Sequence, residues 1–330
     1  MNTFALLFLA SLLVINSLFA SETQESPELN EAAALMQSAA KVFHEQKYDE
    51  ALTQTKKALE IRERLLHRSD LLIANSLVYL GDIYLAKKDF DAAKKVLERS
   101  LAIQIERSSP DDVNLTPTMD RLALAYYGNK EDRKTEEMIK RALAAKEKAF
   151  GAESAIVAES LVTLGQFYRV EKDFERALAS YRRSLLIYGK LSRIESPEFE
   201  RANDEFYCVA AITKNKKLFE ELKEIWRQFL PPHAPHEIFE TEDLNERALV
   251  LPKPDYPAAA HDRRLSGIVI VKVEIDESGK VTSARDMCQG PPYLSESAVK
   301  SARHAVFKPT LYAGVPVKSK GAIRYNFVRR

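Results

Sequence analysis

Small and hydrophobic residues recur with a period of forty-two over most of this chain. The pattern predicts pairs of helices, and a fixed period predicts that successive pairs stack, because one helical hairpin cannot bury its apolar face alone. A fifth hairpin, residues 198–213 and 217–230, lacks the recurring small residues, and we interpret it as a degenerate terminal unit. Three sets of equivalent positions carry the period: Ala51, Ala93, Thr135 and Ala177; Ala39, Gly81, Ala123 and Gly165; and Ala58, Ser100, Ala142 and Ser184.

Near the C-terminus, the hydrophobic residues recur with a period of two. Val269, Val271, Val273 and Ile275 share one face of a predicted strand, and a turn at residues 276–279 returns the chain as a second strand. A helix follows, with Leu294, Ala298, Ala302 and Val306 in one narrow stripe and Pro309 at its end, and residues 322–328 form a last strand. The predicted order is β-β-α-β, a small α+β domain.

Residues 4–20 are almost entirely apolar, and an acidic stretch follows them. We interpret residues 1–20 as a cleaved signal peptide and residues 21–30 as a flexible N-terminus. An uncleaved membrane anchor is the alternative, although the apolar run is short for a span of about 20 residues. The remaining predicted boundaries are a helical repeat array at 31–230, a linker at 231–250 and the α+β domain at 251–330.

The charges are nearly balanced, with 49 basic and 48 acidic residues and a formal net charge of +1. This balance provides no electrostatic basis for binding nucleic acid or an anionic membrane surface.

The two cysteines, Cys208 and Cys288, lie in different predicted domains. An oxidising compartment would permit a disulfide between them. Nothing in the sequence indicates that they approach each other, so we expect two unpaired, partly buried thiols.

No motif for catalysis is present. The sequence has no glycine-rich phosphate loop, no nucleophile elbow and no zinc-protease motif. His233 and His236 precede Glu237, but a proline-rich linker is a poor scaffold for a metal and no further ligand is evident. We therefore expect no enzyme activity, no metal and no cofactor.

The repeat array resembles tetratricopeptide repeats in the longer-period form of kinesin light chains. Leu80-Gly81 and Leu164-Gly165 carry this resemblance, together with Lys-Asp-Phe at residues 88–90 and 172–174. The resemblance implies an all-α superhelix whose inner groove binds a peptide or helix. Intramolecular packing of part of this groove is the alternative. The implied groove residues are Phe43, Asn75, Val78, Asp82, Asp120, Tyr127, Glu159, Gln166 and Arg169.

The C-terminal quarter resembles the C-terminal domain of the TonB energy-transducer family. The matching pieces are Asp255-Tyr256-Pro257, Gly267, residues 276–281, Phe307-Lys308-Pro309, residues 314–317 and Asn326-Phe327. The resemblance implies a periplasmic domain that binds envelope proteins, partly by adding a partner's strand to the edge of its sheet. We expect the last strand to be that edge. The implied binding residues are Tyr256, Pro257, Arg324, Tyr325, Asn326 and Phe327.

Together these features predict a periplasmic adaptor that binds other envelope proteins or peptides, possible outer-membrane receptors among them, through the repeat groove and the sheet edge. The alternative is an inner-membrane-anchored transducer that energises outer-membrane transport, in which case the uncleaved N-terminal segment would contact the membrane.

Overall fold

The computed structural model describes residues 26–194, 196–229, 238–288, 290–312 and 314–328, with the side chains of residues 238–243 excepted. The predicted signal peptide and the His233–His236 pair therefore lie outside the described residues. Ten helices run from residue 27 to residue 229 of the described chain: α1 Pro27–His44, α2 Tyr48–Leu65, α3 Leu71–Ala86, α4 Phe90–Arg107, α5 Thr116–Gly128, α6 Asp132–Phe150, α7 Ala155–Val170, α8 Phe174–Lys190, α9 Pro197–Thr213 and α10 Lys216–Phe229.

The chain divides into two compact units, and the division falls within α7, between Leu164 and Gly165. The second unit therefore contains the last helical hairpins as well as the C-terminal strands. This division differs from the predicted boundary at residues 231–250, because the last helices are grouped with the sheet.

The recurring small residues lie where two helices approach each other closely. All twelve positions of the three sets are buried. At Gly81, an added Cβ would lie 2.5 Å from the side chain of Leu97 on α4. At Gly165, an added Cβ would lie 2.4 Å from the ring of Tyr181 on α8. The period of forty-two thus arises because each hairpin needs small residues where its two helices are in contact.

A second feature of the same period appears only in the backbone. Five non-glycine residues in the turns between paired helices have φ values between 54° and 63°, in the left-handed region: Gln46, Lys88, Lys130, Lys172 and Lys214. Successive members are forty-two residues apart. The last of them, Lys214, lies between α9 and α10, so the fifth hairpin keeps the repeat geometry although it lacks the small residues.

Helix α9 is buried around most of its circumference, including nine consecutive residues from Asn203 to Ala211. A helix buried on all sides needs neighbours on all sides. On α10, Trp226 donates a hydrogen bond to Asn203 at 2.8 Å, and its ring contacts Phe199 edge-on at a centroid distance of 5.0 Å. The last hairpin is thus packed as a core element.

The C-terminal part contains eight strands and two helices: β1 Ile238–Asp243, β2 Ala248–Val250, α11 Ala258–Asp262, β3 Gly267–Ile275, β4 Val281–Asp286, α12 Pro292–Ala302, β5 Val306–Phe307, β6 Thr310–Tyr312, β7 Val315–Val317 and β8 Ser319–Phe327. The main sheet has the order β1-β8-β3-β4. β8 pairs antiparallel with β3 and parallel with β1. The pairs β2-β5 and β6-β7 form two small sheets. The predicted β-β-α-β order corresponds to β3, β4, α12 and β8.

One face of the main sheet is covered by α12. Leu294, Ala298 and Ala302 of the predicted stripe are fully buried, in one cluster with the alternating residues of β3 and with Ile323 of β8. The prediction that Val306 belongs to the same helix is wrong, because the helix ends at Ala302 and Val306 lies in β5. The pattern of period two therefore identified the core face correctly.

The other face of the sheet is also buried, which the alternation of β3 did not predict. Lys272 is only 4% exposed, and its Nζ lies 2.6 Å from Glu200 Oε1 and 2.8 Å from Asp204 Oδ1, both on α9. Arg285 of β4 donates a hydrogen bond to the other oxygen of Asp204. Burial alone would raise the pKa of Glu200, but the hydrogen bond from Lys272 and the charges of Lys272 and Arg285 hold that pKa below its ordinary value.

A disulfide also joins α9 to the sheet, so the expectation of two unpaired thiols is wrong. Cys208 and Cys288 are bonded, with their Cα atoms 5.6 Å apart. Cys208 follows Asp204 by one helical turn and therefore lies on the same face of α9. The expectation failed because it placed the two cysteines in separate domains, whereas the last helical hairpin packs against the sheet.

The predicted linker also contains regular structure. Residues 238–250, which the sequence assigns to the linker, contribute β1 to the main sheet and β2 to the pair β2-β5. A 3₁₀ turn, Leu244–Arg247, joins the two strands, and Leu244 is 1% exposed.

We predict that replacing both cysteines with serine lowers the free energy of unfolding. In the chain-entropy model, a cross-link that closes a loop of this length, with a sequence separation of 80, contributes about 4 kcal/mol. Guanidinium unfolding followed by far-UV circular dichroism measures the change. The oxidised native protein should lose the same stability on addition of reductant, whereas the C208S/C288S variant should not respond to it. Equal stability of all these forms would contradict the prediction.

We also predict that Lys272→Met destabilises the second unit by about 3–5 kcal/mol, because it leaves Asp204 buried without its main counter-charge. The matched control is Arg227→Met on α10, where a side chain 67% exposed lies 3.3 Å from Glu224 and the expected loss is below about 1 kcal/mol. Equal losses in the two variants would contradict the prediction.

The same cluster predicts a pH dependence. Because the folded-state pKa of Glu200 is lowered, its contribution to stability is complete above the ordinary value of 4.5 and is lost as the pH falls through the lowered pKa. Unfolding curves measured between pH 6 and pH 3, on the native protein and on Lys272→Met, should converge towards acid.

Candidate partner-binding sites

A cleft of about 850 Å³ lies beside the C-terminal half of β8. Five of the six residues predicted for the C-terminal domain line it, and the sixth, Pro257, is the N-cap of α11. The cleft is lined by Lys253, Pro254, Tyr256, Ala258, His261, Asp262, Arg324, Tyr325, Asn326, Phe327 and Val328. Residues 75 positions apart in the sequence thus meet at one surface.

The prediction that β8 is the edge strand of the sheet is wrong. β8 lies between β3 and β1, and β1 pairs with it at Ser319, Lys320 and Ala322. The edge strands of the main sheet are β1 and β4. The sequence did not indicate this arrangement, because residues 238–243 are acidic and read as a connector.

Beyond β1, a side chain continues the pairing for one more residue. Asn245 Nδ2 donates a hydrogen bond to the carbonyl oxygen of Arg324 at 2.8 Å, and Asn245 Oδ1 accepts one from the Arg324 N–H at 2.9 Å. The side-chain amide therefore occupies the position of a peptide group of a neighbouring strand.

The backbone of β8 becomes accessible immediately after Arg324. Successive residues of a strand direct their backbone groups to opposite edges, so the N–H and C=O of Asn326 face the same edge as those of Arg324. Within the described residues, no hydrogen bond outside the ladder with β3 reaches these two groups. Asn326 and Val328 are exposed there. An extended segment could therefore pair with β8 along this short stretch.

Aromatic rings and positive charges surround the stretch. Tyr256 contacts Phe327 edge-on, with ring centroids 6.1 Å apart, and donates a hydrogen bond from its hydroxyl to the carbonyl of Leu265. Lys253 and Arg324 contribute two cations to the lining, against one carboxylate, that of Asp262. The cleft therefore combines an apolar wall with donors suited to an acidic or carbonyl-bearing ligand.

The hydroxyl of Tyr325 is buried and lacks a hydrogen-bond partner within the described part of the chain. The residue is 5% exposed, and burial raises its pKa to about 12. A buried hydroxyl without a partner is unfavourable, so this group lowers the stability of the residue's packing beside the cleft.

The groove residues predicted for the first unit fall into two groups. Asn75 and Glu159 are exposed, while Val78, Asp120 and Tyr127 are half-buried. These five remain candidates for contact with a ligand. Asp120 lies 3.0 Å from Lys146, and burial raises its pKa despite that lysine.

Phe43 and Asp82 are buried instead. Phe43 packs against the rings of Tyr48 and Tyr79, at centroid distances of 5.4 and 5.8 Å. Asp82 accepts a hydrogen bond from Arg121 at 2.6 Å, and both residues are 6% exposed. Burial raises the pKa of Asp82, and Arg121 only partly opposes this. Both residues serve the packing of helices in this structure.

Gln166 and Arg169 belong to the second unit and contact its own chain. Gln166 donates a hydrogen bond to Glu205 on α9 at 2.9 Å, and Arg169 Nε lies 2.9 Å from the other oxygen of Glu205. The hydroxyl of Tyr181 donates to that oxygen at 3.3 Å. Both side chains thus contact the next helical hairpin of the repeat array.

Three residues that bind predicted site residues were not identified from the sequence. Arg121 and Glu205 each lie 39 residues beyond their partner, Asp82 or Gln166, so the period could have located them. No pattern pointed to Asn245, because its contact with Arg324 spans 79 residues.

Within the described residues, no group of three or more histidine, cysteine, aspartate or glutamate side chains is placed to hold a metal ion. The helices of the same part of the chain also fall short of the length and apolar character needed to cross a membrane.

Comparison with known proteins agrees with this architecture. Residues 252–328 match the family model described as the Gram-negative bacterial TonB protein C-terminal domain. Residues 30–106 and 158–190 match family models of the tetratricopeptide repeat. Both predicted resemblances, and with them the fold class, are confirmed.

Two solved structures resemble the helical part. A putative kinesin light chain from Podosopora anserina with nearly identical TPR-like repeats is 18% identical, with a TM-score of 0.54, over 62% of this chain and 97% of that one. A single-substitution variant of it is 18% identical, with a TM-score of 0.53, over 62% and 98% of the two chains. At this identity the likeness shows the fold alone. A search of curated proteins returned no match.

We predict that Tyr325→Phe leaves the free energy of unfolding unchanged or raises it by about 1 kcal/mol, because it removes a buried hydroxyl that has no partner. The control is Tyr181→Phe, which removes a hydroxyl bonded to Glu205 and should cost about 1 kcal/mol. Thermal and guanidinium unfolding of both variants measures the difference. A Tyr325→Phe variant less stable than Tyr181→Phe would contradict the prediction.

Proposed function

We propose that this protein is an exported adaptor of the bacterial envelope that binds other polypeptides and transforms none. The observation that carries the proposal is the cleft beside β8, within the part of the chain that matches the TonB C-terminal family. There, accessible backbone groups of Asn326 adjoin an aromatic wall, which is the arrangement that an extended peptide requires.

The repeat array contributes a second binding surface in this proposal. Asn75, Val78, Asp120, Tyr127 and Glu159 of the first unit combine apolar and polar groups, which suits a peptide or a helix. Phe43 and Asp82 contribute by supporting the helices beneath. Tetratricopeptide repeats and the TonB C-terminal domain are both interaction modules, so protein partners are the expectation for either surface.

The proposed location is the periplasm. The disulfide between Cys208 and Cys288 supports it, because disulfides persist in oxidising compartments and are rare in the cytosol. The match to a family of the Gram-negative envelope also supports a periplasmic location. Under this proposal residues 1–20 serve as an export signal.

We predict that Asn326→Pro weakens partner binding about tenfold. Proline removes the outward N–H of residue 326, which is not part of the ladder with β3, so the strand itself should persist. Quantitative mass spectrometry of envelope polypeptides that are captured by the full chain, expressed with its disulfide, measures the effect.

The matched control is Ala284→Pro on β4. By the same alternation of backbone directions, Ala284 faces the outer edge of the sheet, opposite the cleft. Its variant should capture the same polypeptides as the native chain. Equal capture by all three forms would remove the β8 cleft from the proposal.

A further inference from the structure

The edge of β8 that the cleft adjoins is occupied by the chain's own residues for most of its length. β1 runs parallel to β8 and pairs Ile238 with Ser319 and Phe239 with Lys320. Asn245 continues this occupation by binding both backbone groups of Arg324. Residues 238–245, the cis segment, thus hold the position that an incoming strand would need.

The cis segment packs against a complementary site on the sheet. Leu244 is 1% exposed and belongs to the core cluster under α12. Its side chain packs over Gly321 of β8, where an added Cβ would lie 2.6 Å from Leu244. The absence of a side chain at Gly321 therefore allows Leu244 to pack closely against β8. Such complementarity distinguishes the segment from a loop that happens to touch the sheet.

The pairing of β1 itself is weak. Its register shifts between Phe239 and Asp243, and the strand is parallel to its single neighbour in the main sheet. Parallel pairing is slightly less stable per residue than antiparallel pairing, and a bulge leaves part of the ladder unmade. The family match begins at residue 252, so the cis segment lies outside the part of the chain that resembles other TonB C-terminal domains.

We infer that the cis segment is an exchangeable internal occupant of β8, which a partner replaces with an extended segment running parallel to β8. This inference rests on the proposed function and deepens it, because it names both the form of the partner and what regulates access to it. Without exchange, a partner can reach only the short stretch from Asn326 to Val328. With exchange, it can pair along the whole strand from Ser319.

The expected size of the effect follows from the tether. A segment joined to its site by a short linker acts at an effective concentration of about 1 mM. If the cis segment itself binds β8 with an intrinsic dissociation constant of about 100 µM, any competing peptide binds the native chain about tenfold more weakly than a chain whose edge is free.

The probe for the test is a synthetic, fluorescently labelled peptide with the sequence of residues 238–247 of this protein. Its binding to the full, disulfide-bonded chain is measured by fluorescence anisotropy. The first variant replaces residues 238–243 with a Gly-Ser stretch of equal length and keeps Leu244 in place. We expect it to bind the peptide at least about tenfold more tightly than the native chain, and a scrambled peptide not at all.

A point variant also releases the cis segment without changing β1. Asn245→Ala frees the N–H and C=O of Arg324. It should also raise the affinity for the peptide, and hydrogen exchange at the Arg324 amide should be faster in Asn245→Ala and slow again when peptide is added. Asn245→Asp, which keeps an acceptor for the Arg324 N–H, should give an intermediate value.

Equal affinity of the native chain and both releasing variants would overturn the inference, as would failure of either of them to bind the peptide. Neither result affects the proposed function, which is judged by capture of envelope polypeptides in Asn326→Pro. Unchanged capture in that variant would instead count against the proposed function, whatever the peptide does.

Discussion

The contact between α9 and the sheet is the constraint on which the second unit depends. Lys272 is almost completely buried on β3, and its burial is compensated by Glu200 and Asp204, which approach it from the helix. One turn further along α9, the disulfide joins the same helix to the end of β4 covalently. The ion pairs fix the register of the helix on the sheet, and the disulfide keeps the two elements together when the ion pairs open.

This constraint explains why the last helical hairpin belongs with the C-terminal strands. In a repeat array, the terminal unit has one face without a following repeat, and that face needs a polar surface or a cover. Here the cover is the sheet, whose second face would otherwise expose Ile270. Each element thus completes the burial of the other. The proposed binding surfaces, the groove of the first unit and the cleft at the far end of β8, lie outside this contact.

Polar groups at the predicted binding positions have two different roles. Asp82 and Gln166 bind partners 39 residues further along the chain, so they specify how neighbouring helices pack. The outward backbone groups of Asn326 adjoin the cleft without such partners in the described chain, and the buried hydroxyl of Tyr325 also lacks one there. Buried polar groups of the first kind stabilise a fold, whereas accessible backbone groups such as those of Asn326 can pair with a ligand.

The sequence alone determined the elements and their buried faces. The positions equivalent to Ala51 had to be small because two helices cross there, and the valines of β3 had to alternate because one face of a strand meets α12; both requirements leave a periodic record. Contacts that do not recur at a fixed spacing leave no such pattern in the sequence. The burial of Lys272, the pairing of Cys208 with Cys288 and the bond from Asn245 to Arg324 join residues 68 to 80 positions apart. Only the tertiary structure could bring them together, because which distant segments meet depends on the packing of whole elements. For the same reason the position of β8 inside the sheet was decided by a segment whose acidic sequence carries no strand pattern.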